Sequence, residues 1–210
     1  MIFAQTDVIT LLAIAVALVV GITCHEFSHA LVADFLGDHR PRAMGRVSLN
    51  PLRHIDPLGA LMFVAVGFGW GRPVLVNAAA MRGGRRSMAW VAAAGPVANI
   101  TVAVLFAVIF RAMLVAGVSS EGPLNFTFEL VRLNLVLAIF NFVPIPPLDG
   151  YSFVMALVPF RTALQLQPLA QYGFYLLLGL VLLSYLSPGA SPLYWLFSAA
   201  DALARALVGA

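Results

Sequence analysis

The chain has 210 residues, 61% of them hydrophobic and only 10% charged, with a formal net charge of +3. A soluble domain carries roughly a quarter charged residues, so this composition cannot cover a water-facing surface and places the chain in a membrane. At about 20 apolar residues per spanning helix, the length leaves room for four to six spans and short loops, read as one transmembrane domain over 1–210 with no separate soluble domain.

All basic residues are arginine, and eight of the twelve (Arg40, Arg42, Arg46, Arg53, Arg72, Arg82, Arg85 and Arg86) lie between 40 and 86. Basic loops stay on the cytoplasmic side, so the high pI reports orientation in a bilayer and builds no nucleic-acid surface. A single cysteine, Cys24, excludes an intrachain disulfide. Neighbours on a helix stand about 100° apart, so Cys24 reads as a small buried apolar residue rather than a partner of His25. Met1 to Asp7 has no positive stretch ahead of the first apolar run, which argues against a cleavable signal peptide.

The first apolar run predicts a helix from Val8 to Leu36, ended by Gly37, Asp38 and Pro41. Its length of roughly 42 Å exceeds the ~30 Å hydrocarbon core. Its later half therefore lies towards the arginine-rich, cytoplasmic end, with the N-terminus outside. A polar connector occupies 38–57, within which Arg46-Val47-Ser48-Leu49 alternates as a short strand would. Leu58 to Trp70 is apolar but short for a span, and both flanks are arginine-rich; a re-entrant segment returning to the cytoplasmic face fits both facts. A second strand is expected at 72–77, pairing with the first at the membrane surface.

A long helix is expected from Ser87 to Val118, an outer turn from Ser119 to Pro123, and another helix from Phe126 to Val143. The chain then breaks at Pro144-Ile145-Pro146-Pro147-Leu148-Asp149-Gly150. An apolar run resumes at 151–158, Gln171 to Leu186 reads as a further span, and Pro192 to Val208 as a candidate last one. The expected fold is an all-α polytopic membrane protein of about five to six membrane segments, one of them re-entrant, with a small membrane-surface β element.

The chemistry is concentrated in His25-Glu26-Phe27-Ser28-His29. Positions i and i+4 share a helix face, so both imidazoles can bind one Zn²⁺. Glu26 stands about 100° round from His25, within reach of a water that the metal acidifies, and can act as general base. With four histidines and three glutamates in the chain, chance supplies this pattern about once in a thousand such sequences. A lone histidine on an apolar helix is more often a satisfied core residue. Three ionisable groups within five positions of a membrane helix are too costly for that reading.

A catalytic zinc needs a third protein ligand and an open position. Asp34 falls on the wrong face, Asp38 lies beyond the helix end and Glu129 sits at the wrong depth, while Asp56 in the connector is a candidate. Asp149 is the best one, because it follows proline-broken chain near the cytoplasmic level, where irregular backbone is tolerated only against protein or a cavity. The competing reading makes Asp149 a helix N-cap beside Gly150.

These residues resemble the site-2 proteases, the intramembrane zinc metalloproteases of peptidase family M50. The likeness runs through His25-Glu26-x-x-His29, Gly95-Pro96-x-x-Asn99 and Asn141-x-x-Pro144-x-Pro146-Pro147-Leu148-Asp149-Gly150. The connector Arg46-Val47-Ser48-Leu49-Asn50-Pro51, continuing to His54-Ile55-Asp56-Pro57, resembles that of the compact prokaryotic members. The resemblance implies one zinc per chain held by His25, His29 and Asp149, with Glu26 as base. It also implies a single-span membrane protein as substrate, unwound before cleavage, in a prokaryotic cell membrane with the active site towards the cytoplasm. Asn141 would hold the substrate backbone or its developing oxyanion; Asn99 would do similar work or tie helices together. His54 would stand behind the metal ligands with Asp56 or gate the site, against the preferred reading of a turn histidine between prolines. Arg111 and Arg132 read as snorkelling to an interface. Relatives that carry a PDZ or CBS domain differ from this minimal core.

Other classes fit less well. A catalytically silent scaffold would have lost the base or a ligand, and a metal transporter would spread its ligands along a path through repeat-related halves. A zinc hydrolase of a non-peptide membrane substrate shares the same core.

Overall fold

A computed structural model describes residues 7–66, 69–187, 189 and 191–209. Four of its helical segments are long and apolar enough to cross a membrane: Val8–Leu36, Gly84–Val115, Glu121–Asn141 and Phe160–Leu186. The chain is a membrane protein, helical throughout its described residues apart from turns and connectors.

Helix α1 spans Val8–Leu36, as the apolar run predicts. The Asp7 carboxylate caps it by accepting from the Thr10 amide, and Gly37 ends it at φ 117°, a left-handed conformation that only glycine adopts freely. Helix α4 (Ser87–Val115) and helix α5 (Glu121–Asn141) pack on it. The buried positions of α1 are mostly small, among them Ala13, Ala17, Gly21, Ala30 and Ala33, and α4 answers with Ala89, Ala92, Gly95, Ala103 and Ala107. Small residues let helix backbones approach where lipid gives no hydrophobic drive to associate. Helix α5 begins at Glu121, five positions before the expected Phe126. Its Gly122-Pro123 pair, which reads as a turn, sits in the first helical turn, where a missing amide costs nothing.

The connector departs from expectation. Residues 46–49 and 72–77 form no strand. Helix α2 (Arg40–Ala43) and a 3₁₀ turn at Pro51–Arg53 occupy the first part. The backbone pairing instead falls between the two predicted strands, as one antiparallel bridge of Ile55 with Gly71 and an Arg72 amide donating to the His54 carbonyl at 2.6 Å. Between these points runs helix α3 (Pro57–Val66), about 15 Å long. Backbone contacts thus hold together the residues that flank α3.

After α5 the chain turns through Pro144–Pro147 into helix α6 (Asp149–Leu157). Helix α7 (Phe160–Leu166), a 3₁₀ stretch at Gln167–Tyr172 and helix α8 (Gly173–Leu186) then make one helical passage, begun eleven residues before the expected Gln171. Helix α9 (Pro192–Val208) packs Ala200, Ala204 and Val208 against Ala103, Ala107 and Phe110 of α4 and Val131 and Leu135 of α5. At about 26 Å it is shorter than the hydrocarbon core.

Candidate metal centre

The histidines of α1 face α4 and the start of α6. His25 and His29 are both buried, and each directs Nε2 at one oxygen of Asp149: Nε2 of His25 is 2.9 Å and Nε2 of His29 is 3.2 Å from Oδ2. Asp149 is the first residue of α6, whose cap position belongs to Leu148, so its carboxylate is not spent on capping.

The other ring nitrogens are committed. Nδ1 of His29 lies 2.7 Å from the Val91 carbonyl, which can only accept, so His29 donates there. Nδ1 of His25 lies 2.7 Å from Oδ1 of Asn99. The Asn99 amide nitrogen donates to the Gly21 carbonyl at 3.0 Å and to Oδ1 of Asn134 at 3.1 Å, and the Asn134 amide donates to the Leu130 carbonyl at 2.8 Å. Both asparagines are fully buried. With each Nδ1 carrying a proton, each neutral imidazole presents a bare lone pair at Nε2. In that state two lone pairs and a carboxylate oxygen converge, all within 4.8 Å of one another, and Oδ2 of Asp149 has no hydrogen-bond donor. Such a set suits a cation. Donors of a tetrahedral zinc with ~2 Å bonds stand roughly 3.3 Å apart, so the residues fit that ion.

Gly95 leaves the space. A Cβ there would lie 2.5 Å from Nε2 of His29 and 2.6 Å from Nε2 of His25. Pro96 follows inside α4 and removes the amide that the Ala92 carbonyl would otherwise receive.

Glu26 lines the same cavity, a space of about 640 Å³ walled mainly by apolar groups such as Ile22, Phe63, Trp70, Phe140 and Leu177. Asn141, the last residue of α5, lines it too and donates one amide hydrogen to the Leu137 carbonyl at 2.9 Å. Asn99 reaches the cavity wall too, but its polar atoms are already taken.

The other acids weighed as ligands are engaged elsewhere. Asp34 pairs with Arg42 and His39, Asp38 with Arg40, and Glu129 with Arg132. Asp56 accepts from the Gly59 amide at 2.9 Å and so secures the start of α3, not the metal cluster and not His54. His54 is fully buried at the end of the Pro51–Arg53 turn, with Nε2 donating to the Ser48 carbonyl at 2.6 Å. Burial pushes its pKa below the ordinary value, and the neighbouring Arg46 cation works the same way. Cys24 is half-buried and stands outside the donor cluster.

Sequence reasoning missed Asn134 and the place of Arg46, and took Gly95 only as part of a motif without its role. Gly95 and Asn134 matter through contacts with side chains 35 or more positions away. Arg46, buried with its guanidinium 3.7 Å from Oε2 of Glu26, reads in the sequence as one more connector cation.

No sequence-family model and no solved structure matches the chain. Named relatives do. The chain is 36% identical over 187 residues to "Putative zinc metalloprotease YwhC" of Bacillus subtilis, a match covering 87% of this chain and 84% of that one. It is 33% identical over 193 residues to "Putative zinc metalloprotease Rip2" of Mycobacterium tuberculosis, covering 85% and 70% respectively. The Rip2 of Mycolicibacterium smegmatis is also 33% identical, over 188 residues. At this identity and coverage, and with a donor set suited to zinc in place, the chain belongs to the zinc metalloprotease family of YwhC and Rip2.

Proposed function

We propose that the protein is an intramembrane zinc endopeptidase of the site-2 type, which hydrolyses peptide bonds in the transmembrane segments of single-span membrane proteins. The observation that carries this reading is the convergence of His25, His29 and Asp149 beside Glu26 on an apolar cavity among membrane helices. His25 lies about 25 Å along α1 from Val8 and about 16 Å from Leu36, within the apolar length of the helix. Apolar walls suit the side chains of a membrane-spanning substrate.

His25, His29 and Asp149 would hold one zinc, which supplies a Lewis acid that acidifies water and polarises the scissile carbonyl. Asn99 keeps His25 in the tautomer with Nε2 free, and the Val91 carbonyl does the same for His29. Glu26 accepts the proton of the attacking water on a carboxylate oxygen and returns it to the departing amine. Asn141 keeps its second amide hydrogen for the substrate backbone or the oxyanion. With the arginine-rich connector on the cytoplasmic side, the site opens towards the cytoplasm. The bacterial origin of the relatives supports a bacterial cell membrane as its place.

The test is cleavage of a panel of single-span substrates by purified protein in detergent. Products formed by the wild type, absent with Glu26→Gln and abolished by a zinc chelator support the reading. Equal cleavage by Glu26→Gln would remove it.

A further inference from the structure

Arg46 is the least explained charge in the described structure. Its side chain is more than nine-tenths buried, yet its Nε has no hydrogen-bond partner. Burying an arginine in this way is costly unless a fixed negative group answers it. Two contacts do so. The guanidinium donates to the Arg72 carbonyl, and it faces Oε2 of Glu26 at 3.7 Å, an ion-pair distance beyond hydrogen bonding.

The contact with Arg72 closes a ring. The Ser48 amide donates to the Arg46 carbonyl at 2.9 Å, and His54 Nε2 donates to the Ser48 carbonyl at 2.6 Å. The Arg72 amide donates to the His54 carbonyl at 2.6 Å, and Arg46 returns to the Arg72 carbonyl. This circuit locks the two ends of the α3 hairpin, where Ile55 pairs with Gly71, and fixes the direction of the guanidinium. Neither Arg46 nor His54 lines the cavity, whereas Glu26, Ile55 and Gly71 do. Arg46 therefore lies behind the carboxylate, away from the space a substrate would enter.

We propose that Arg46, held by the Arg46–Ser48–His54–Arg72 ring, is a positioning residue for the Glu26 carboxylate. The proposal rests on the reading of Glu26 as general base. It makes the α3 hairpin part of the catalytic apparatus: the closure that seats the hairpin also orients the base. A carboxylate on a flexible stem loses much of its value as a base when its direction is not fixed.

The test uses Arg46→Gln, which keeps a donor for the Arg72 carbonyl but removes the charge, and Arg46→Lys, which keeps the charge. The chain has three glutamates, Glu26, Glu121 and Glu129. Carboxyl-¹³C-labelled glutamate thus gives three signals, and Glu26→Gln identifies one. In Arg46→Gln the Glu26 signal should shift or broaden, and kcat should fall about tenfold or more with KM and zinc content within about twofold. Arg46→Lys should recover part of both. A wild-type Glu26 signal and wild-type kcat in Arg46→Gln would overturn the proposal. So would equal losses in both variants accompanied by loss of zinc, the mark of general damage. A Glu26 signal that responds to Arg46→Gln in a protein that cleaves none of the substrates would uphold the positioning and count against the peptidase reading alone.

Discussion

Asn99 Oδ1 stands 2.7 Å from Nδ1 of His25, and the same amide group ties α1 to α5 through the Gly21 carbonyl and Asn134. One fully buried side chain thus sets the tautomer of His25, a candidate metal ligand, and the spacing of three helices. Replacing Asn99 by Leu should weaken zinc binding about 10–100-fold, the usual cost of removing a ligand's outer partner. Asn134→Leu should weaken it less, since it acts one step further away. Competition with a calibrated chelator measures both; equal affinities in wild type and Asn99→Leu would contradict this account of the site.

Gly95 offers a cleaner separation of site from fold. Alanine is the better helix former, but its Cβ would meet both histidine Nε2 atoms at 2.5–2.6 Å. Gly95→Ala should leave the helix content and the thermal midpoint near wild type while zinc affinity falls about tenfold or more. Full zinc content with wild-type affinity would show that the cluster is looser than these contacts imply.

Ligand and base should separate as well. Asp149→Ala should lose most of its zinc, because Asp56 and Glu129 are occupied by the Gly59 amide and by Arg132. Glu26→Gln should keep its zinc and lose about 10²-fold or more in kcat. Metal analysis of the two purified variants beside wild type checks this; unchanged zinc in Asp149→Ala would place the third ligand elsewhere.

The connector has its own pH signature. The fully buried Asp38 carboxylate accepts two bonds from the Arg40 guanidinium at 2.8 Å, one from the Arg40 amide at 3.3 Å and one from the Asn77 amide at 2.6 Å, and it links the end of α1 to the chain that leads into α4. Chiefly through the Arg40 hydrogen bonds, its pKa is held down at about 2. A group with a depressed folded-state pKa stabilises fully above its unfolded value, near 4, and loses that contribution as pH falls through the folded one. Asp38→Asn should therefore lower the thermal midpoint at pH 7 by a few degrees, and the gap from wild type should close between about pH 4 and pH 2. A gap that does not change over that range would mean the charge contributes nothing.

The parts legible in the sequence are those written in local pattern. The bounds of α1 follow from an apolar run with a glycine stop, and the His25–His29 pair from helical spacing. Asp149 could be singled out because a proline-broken apolar stretch needs a cavity beside it. The strands expected at 46–49 and 72–77 do not form, for a physical reason. The alternation at Arg46–Leu49 is consumed by a tight turn, with Ser48 bonded back to Arg46, and the pairing moved to Ile55 and Gly71. Gly122-Pro123 carries the composition of a turn but occupies a helix start, which only the dihedral angles distinguish. The Arg46 ring and the Asn99–Asn134 link join residues far apart in sequence, and single-sequence periodicity has no access to such contacts.

The most direct measurement is the position of the bond that is cut. Wild type and Glu26→Gln, reconstituted in liposomes with a single-span substrate, would be compared by mass spectrometry of the product termini. The account predicts one or a few cuts within the apolar segment of the substrate, made by wild type and absent with Glu26→Gln. Cuts confined to the water-exposed ends of the substrate, or the same cuts with both proteins, would contradict it.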